Sequence, residues 1–199
     1  TVLETDTALP WTGHTSRYAA PDILRAIRAH RLSLLFVNTR SQAELLFQEL
    51  WRLNEDNLPI ALHHGSLDAT RRRKVEAAMA AGALRAVVST STLDLGVDWG
   101  EVDLVINIGA PKGASRLLQR VGRANHRLEK ASRALLVPSN HFEVLECRAA
   151  IEAAEAGVHD ATAHRTGALD VLAQHLWGMA CSGPIRPSCL YREVRSAQP

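Results

Sequence analysis

The chain is short of cysteine, aromatic residues and long apolar runs, and each shortage removes a class of protein. Its three cysteines, Cys147, Cys181 and Cys189, stand far apart and are odd in number. They frame no disulfide-stapled fold, their spacing suits no zinc site, and no metal ligands are expected. Aromatics make up 5% of the residues, and Trp11, Trp51, Trp99 and Trp177 are too scattered to form a stacking ladder for single-stranded bases. No apolar stretch approaches the ~20 residues of a membrane span, and the opening TVLETDTALPW is no secretory signal. Reduced thiols and no membrane segment make a cytoplasmic protein the expectation.

Further absences concern chemistry. There is no Gly-Lys dipeptide, hence no GxxxxGK[ST] loop to cradle phosphates with backbone N–H groups and a lysine. There is no DExH or DExD sequence to hold magnesium. By itself the chain is expected not to hydrolyse a nucleoside triphosphate, and the same gaps argue against a doubly wound small-molecule enzyme.

What is present is an ordinary globular composition, 46% hydrophobic and 22% charged over 199 residues, enough for one full domain and part of another. The net charge of +2 hides an uneven distribution. Between Lys112 and Arg133 lie seven basic residues and one acid, Glu129, and Arg71-Arg72-Arg73-Lys74 forms a second cluster. Two local patches on a nearly neutral chain suit a directed phosphate-binding surface. Arg116, Arg120, Arg123 and Arg127 recur at steps of four, three and four, which on a helix lines one face. Such a stripe repels itself unless an anion lies against it.

The polar first twenty residues read as a linker, and Pro21-Asp22 starts a helix to about His30. Apolar runs of strand length then alternate with helical periodicities. The strands are expected at 33–38, 59–64, 84–90, 103–109 and 133–138. Helices are expected from Ser41, capped by a Ser41/Glu44 box, to about Leu53; from Asp68 to Ala81, closed by Gly82; from about Ala114; and over 141–157. Strands buried on both faces between helices imply a parallel sheet in βαβ units. Ligands of such sheets gather at the carboxyl ends of the strands, where Asn38-Thr39-Arg40, His64-Gly65-Ser66 and Ser89-Thr90-Ser91 fall. A further helix over 167–180 breaks the alternation and marks a second domain from about Arg165.

Five segments carry a family resemblance. TSTLDLGVD (90–98), DLVINIGAP (103–111) and QRVGRANHR (119–127) resemble motifs V, Va and VI of the second RecA-like lobe of superfamily 2 helicases. LLFVNTR (34–40) resembles motif IV, and HHGSLDATRRRKVE (63–76) the segment after it. PWTGHTSRYA, LVPSNHFEVLECRAAIEAAEAG and GALDVLAQHLWGMACSGPI add a likeness to the Lhr family, above all to the bacterial ligase-associated DExH-box DNA helicases. The resemblance covers nearly the whole chain. It implies an α/β, RecA-like, doubly wound parallel sheet followed by the helical start of a winged-helix domain. The expected layout is an inter-lobe linker at 1–20, the second RecA-like lobe at 21–164 and a truncated winged helix at 165–199.

The resemblance also assigns roles. Arg123 is the first choice for an arginine finger on the γ-phosphate, Gln119 is placed to contact the nucleotide, and Arg120 is either a second phosphate ligand or a salt-bridge partner. His126 stands where the common QxxGRxxR pattern has its last arginine, with Arg127 next, so either could supply a second nucleotide contact. Thr90 and Ser91 are expected at a nucleic-acid phosphate, and Gly96 and Asp98 at the nucleotide, with helix capping as the plainer role for Asp98 or Asp94. Thr39, Arg40, Gly65 and Ser66 are expected to track a nucleic-acid backbone, giving salt-dependent affinity without sequence readout.

For the full-length protein the resemblance implies an ATP-dependent DNA helicase. ATP and Mg2+ would be held mainly by a first RecA-like lobe in cis. It further implies movement on single-stranded DNA, unwinding of DNA or RNA–DNA duplexes in the 3′-to-5′ direction, a DNA repair setting in the bacterial nucleoid, and DNA ligase and other repair proteins as partners. The alternative is a non-catalytic nucleic-acid-binding or interaction module on the same fold.

Overall fold

The computed structural model describes residues 1–3, 5, 8–13, 16–94, 102–124, 132–160 and 167–196. They fall into two compact units that divide between Asp160 and Ala161, slightly before the expected boundary at 164.

The first unit is built on strands β1 (Ser33–Phe36), β2 (Ile60–His63), β3 (Ala86–Ser89), β4 (Leu104–Ile108) and β5 (Ala134–Val137). All pair in parallel, in the order β2-β3-β1-β4-β5. The strands are short and mostly aliphatic, and β1, β3 and β4 are buried along their whole length, as strands covered on both faces must be. Alternation along β1 divides the core. Leu35 packs with helices α1 (Ala20–Ala29) and α2 (Arg40–Leu53) on one face. Leu34 and Phe36 pack on the other with Met79 of α3 (Ala69–Ala80), Leu93 and Ala124. A third cluster joins Leu117 of α4 (Ala114–Val121) to Leu136 of β5 and Cys147 of α5 (His141–Glu155).

Helix ends follow side-chain chemistry. Asp68 accepts from the N–H of Arg71 and Asn140 from that of Glu143, capping α3 and α5. The α2 cap differs from expectation: the capping box is Thr39 with Gln42, not Ser41 with Glu44. Arg40 and Ser41 are already helical, so extended Thr39 is the residue whose hydroxyl reaches the third N–H of the helix. The α4 cap comes from far along the chain: Asp160 accepts from the Ser115 N–H, and Ser115 Oγ accepts from the Asp160 N–H, each at 3.0 Å. Gly113 allows this contact, since a Cβ there would lie 2.2 Å from Asp160 Oδ2 and its φ is +96°.

The opening residues, expected as a linker, include docked backbone. Val2 bridges to Leu136 beside β5, Leu3 N–H donates to the Leu136 carbonyl, and Ala19 and Ala20 belong to the core. The second unit contains α6 (Leu169–Ser182) and α7 (Pro187–Ser196), the latter not anticipated from the sequence. His175 Nε2 of α6 lies 3.3 Å from Glu193 Oε1 of α7. Among the described residues no helix is long and apolar enough to cross a membrane, and no group of three His, Cys, Asp or Glu could hold a metal.

Candidate functional site

Strand order brings the expected phosphate-contacting residues side by side. Gly65 and Ser66 follow β2, Thr90 and Ser91 follow β3, and Thr39 and Arg40 follow β1, so three adjacent strands present them along one carboxyl edge. Thr39, Arg40, Gly65, Ser66 and Ser91 are exposed and Thr90 is half-buried. The Thr39 hydroxyl accepts the Gln42 N–H at 3.2 Å, which leaves its own proton free to donate. Arg40 Nε lies 3.6 Å from Glu44 on an exposed surface, too loose and too wet a pair to immobilise it.

Arg116, Arg120 and Arg123 do not line one helix face as their spacing suggested. Helix α4 ends at Val121, with Gly122 as its C-cap, so Arg123 lies beyond the helix. On α4 itself Ala114, Leu117 and Arg120 point inward, which makes Arg120 part of the core at 1% exposure. Burying a guanidinium requires a counter-charge and hydrogen bonds. Its Nε donates to Asp94 Oδ1 at 3.0 Å, a terminal nitrogen donates to Asn107 Oδ1, and the guanidinium lies over the Phe36 ring, 4.9 Å from its centroid. Of the two roles open to Arg120, the salt-bridge partner is the one its contacts display.

Asp94 therefore supplies the stripe with an anion from within the chain. Only 5% exposed, it accepts from Arg120 and has Arg116 Nε 3.9 Å from its second oxygen. Its backbone carbonyl accepts from Arg123 Nη2 at 3.0 Å. Asp94 closes the short 3-10 turn Ser91–Leu93 as its C-cap residue, its N–H donating to the Ser91 carbonyl at 3.1 Å. Arg123 is half-buried and tethered through one terminal nitrogen, while its buried Nε has no hydrogen-bond partner among the described residues. Gln119 is exposed on the opposite side of α4 from the core. Gly96, Asp98, His126 and Arg127 lie outside the described residues.

Register explains how these groups meet. His63 pairs with Ser89, Ser89 with Phe36, and Phe36 with Asn107, so one row crosses four strands. The turn carrying Thr90–Asp94 contacts both ends of this row: Thr92 meets His63 and Ser89, and Asp94 meets Asn107 and Phe36 through Arg120. Neither His63 nor the Asp94–Arg120 pair was singled out in the sequence, because nothing local marks a polar residue whose partner is another strand away.

Comparison with known proteins identifies the family of the chain. Residues 19–127 match the helicase conserved C-terminal domain family. An ATP-dependent helicase Lhr-Core from Methanocaldococcus jannaschii is 37% identical over 88% of this chain, and the chain spans 21% of that relative's length. An ATP-dependent helicase Lhr-Core protein 2 from Thermococcus barophilus is 39% identical over 87% of this chain, which spans 20% of it. Among solved structures, a Mycobacterium smegmatis helicase Lhr bound to ssDNA and AMP-PNP superposes over 100% of this chain and 29% of its own, with a TM-score of 0.78 at 29% identity.

Proposed function

Because the chain belongs to the helicase conserved C-terminal domain family, in its Lhr branch, we propose that it is the second motor lobe of an ATP-dependent DNA helicase. ATP with Mg2+ would lie between this lobe and a first RecA-like lobe of the same protein, which would supply the phosphate loop and the acidic pair absent here. Residues 165–199 would begin a winged-helix domain.

The observation that carries this reading is the juxtaposition around one short turn. Its start, Thr90 and Ser91, lies on the edge shared with Thr39, Arg40, Gly65 and Ser66. Its end, Asp94, holds Arg120 and Arg123. Neutral hydroxyls and backbone amides on the edge suit a sugar–phosphate backbone, and a guanidinium with unspent donors suits a phosphoryl group. Arg123 would stabilise the charge spread over the γ-phosphoryl oxygens, an effect worth about 10³–10⁵ in rate elsewhere. Arg120 would act through position, by holding the turn against α4. Gln119, Gly96, Asp98 and Arg127 complete the nucleotide side of the proposal.

Closure of the two lobes on ATP and reopening after hydrolysis would move the protein along single-stranded DNA and unwind DNA or RNA–DNA duplexes. The Lhr likeness supports a cytoplasmic DNA repair enzyme travelling 3′-to-5′, with DNA ligase and other repair proteins as partners. The direct test is ATP hydrolysis by the full-length protein with and without single-stranded DNA. Stimulation by DNA is expected. DNA binding without any hydrolysis would make the chain a binding module.

A further inference from the structure

His63 is buried at the end of β2, yet it is fully hydrogen-bonded. Its Nε2 lies 3.0 Å from Glu76 Oε1 on α3, and its Nδ1 lies 2.9 Å from Thr92 Oγ1. A carboxylate can only accept, so Nε2 carries a proton and donates to Glu76, while Nδ1 and the Thr92 hydroxyl share the second hydrogen bond. Thr92 Oγ1 is also 3.2 Å from Ser89 Oγ, which donates to the Thr90 carbonyl at 2.9 Å. The Thr92 methyl closes the other side: a Cβ on Gly65 would lie 3.7 Å from it.

Thr92 thus stands between two of the loops assigned to the nucleic acid. One arm reaches the strand that feeds Gly65 and Ser66, and its chain neighbours are Ser91 and, one residue further, Thr90. Neither His63 nor Thr92 needs to touch the ligand to matter. Contacts from neutral hydroxyls and backbone amides depend on fixed spacing, because such groups have no long-range attraction to draw a phosphate into place.

We propose that His63 and Thr92 form a clasp, oriented by Glu76, that sets the spacing between the Gly65–Ser66 and Thr90–Ser91 loops, and that both act as positioning residues for nucleic-acid binding. The proposal rests on those loops being the nucleic-acid contact.

The test uses the full-length protein, a fluorescent oligo-dT strand for binding, and DNA-stimulated ATP hydrolysis. Thr92→Val keeps the shape and removes the hydroxyl, and loss of the aligned contacts raises both Kd and the DNA concentration for half-maximal stimulation by about tenfold. The rate at saturating DNA stays within about twofold of wild type, as expected for a change in binding alone. Thr92→Ser restores tight binding. The slope of log Kd against log salt is unchanged, because no phosphate-neutralising cation has been lost. Should Thr92→Val fail to fold, His63→Asn, which severs the Glu76 contact, carries the same expectation of weakened binding at an unchanged salt slope. Wild-type affinity in the folded variant, a defect that serine does not repair, or a changed slope would overturn the clasp alone. Failure of the wild-type protein to bind DNA at all would overturn the reading on which the clasp depends as well.

Discussion

Replacing Asp94 by alanine isolates the interaction that ties the turn to α4. The substitution leaves the Arg120 guanidinium, 1% exposed, without its counter-charge, while the Asn107 and Phe36 contacts remain. Removing one member of a buried ion pair typically costs about 3–5 kcal/mol. The retained cation–π contact offsets none of this, because it is present in both proteins. A domain of this kind is stable by about 5–15 kcal/mol, so the loss is a large fraction of the total. In urea unfolding followed by far-UV circular dichroism, the midpoint should fall by about 1 M or more. Arg120→Met in the same background removes the orphaned charge and should recover most of the loss, since apolar replacements of buried pairs are often near neutral. A loss below about 1 kcal/mol, or a double variant no more stable than Asp94→Ala, would refute the claim that Asp94 and Arg120 are a coupled buried pair.

Two other consequences are accessible on the chain itself. Burial, with help from Glu143 and Glu146, pushes the Cys147 thiol from 9.0 up to about 12, whereas Cys181 and Cys189 are exposed. At pH 8 iodoacetamide should therefore label Cys181 and Cys189 and spare Cys147 until urea is added. Because the unfolded chain releases this proton first, the same shift lowers stability as pH rises from 9 towards 12, and a stability that climbed over that window would contradict it. Gly113→Ala forces a side chain into the left-handed region and against the Asp160 carboxylate, and should lower stability by about 1–3 kcal/mol in thermal unfolding. An unchanged melting temperature would show that α4 does not need the Asp160 cap.

Much of the fold was legible because its signals are local. The aliphatic runs at 33–36, 86–89 and 104–108 can be buried only as interior strands, and they are. The carboxyl-edge loops followed from strand direction alone. What escaped detection depended on tertiary partners. Ser41 with Glu44 and Thr39 with Gln42 are both capping-box patterns, and only the backbone decides that Thr39 is the extended residue. Arg120 read as one member of a stripe awaiting an anion, either a phosphate ligand or a salt-bridge partner, and α4 turns it inward because Leu117 and Ala114 on the same side seek the core. The charge was tolerable there only because Asp94 and Asn107, 26 and 13 residues away, converge on it. The cap on α4 from Asp160, 45 residues downstream of Ser115, has no sequence signature at all.

The most direct test of the central claim, that this lobe lends an arginine to phosphoryl transfer, is Arg123→Ala in the full-length protein, with ATP hydrolysis and DNA binding measured side by side. A fall of about a thousandfold in the DNA-stimulated rate is expected, with DNA affinity preserved. Hydrolysis within a few-fold of wild type would contradict it and move the role to another residue of the segment 119–127.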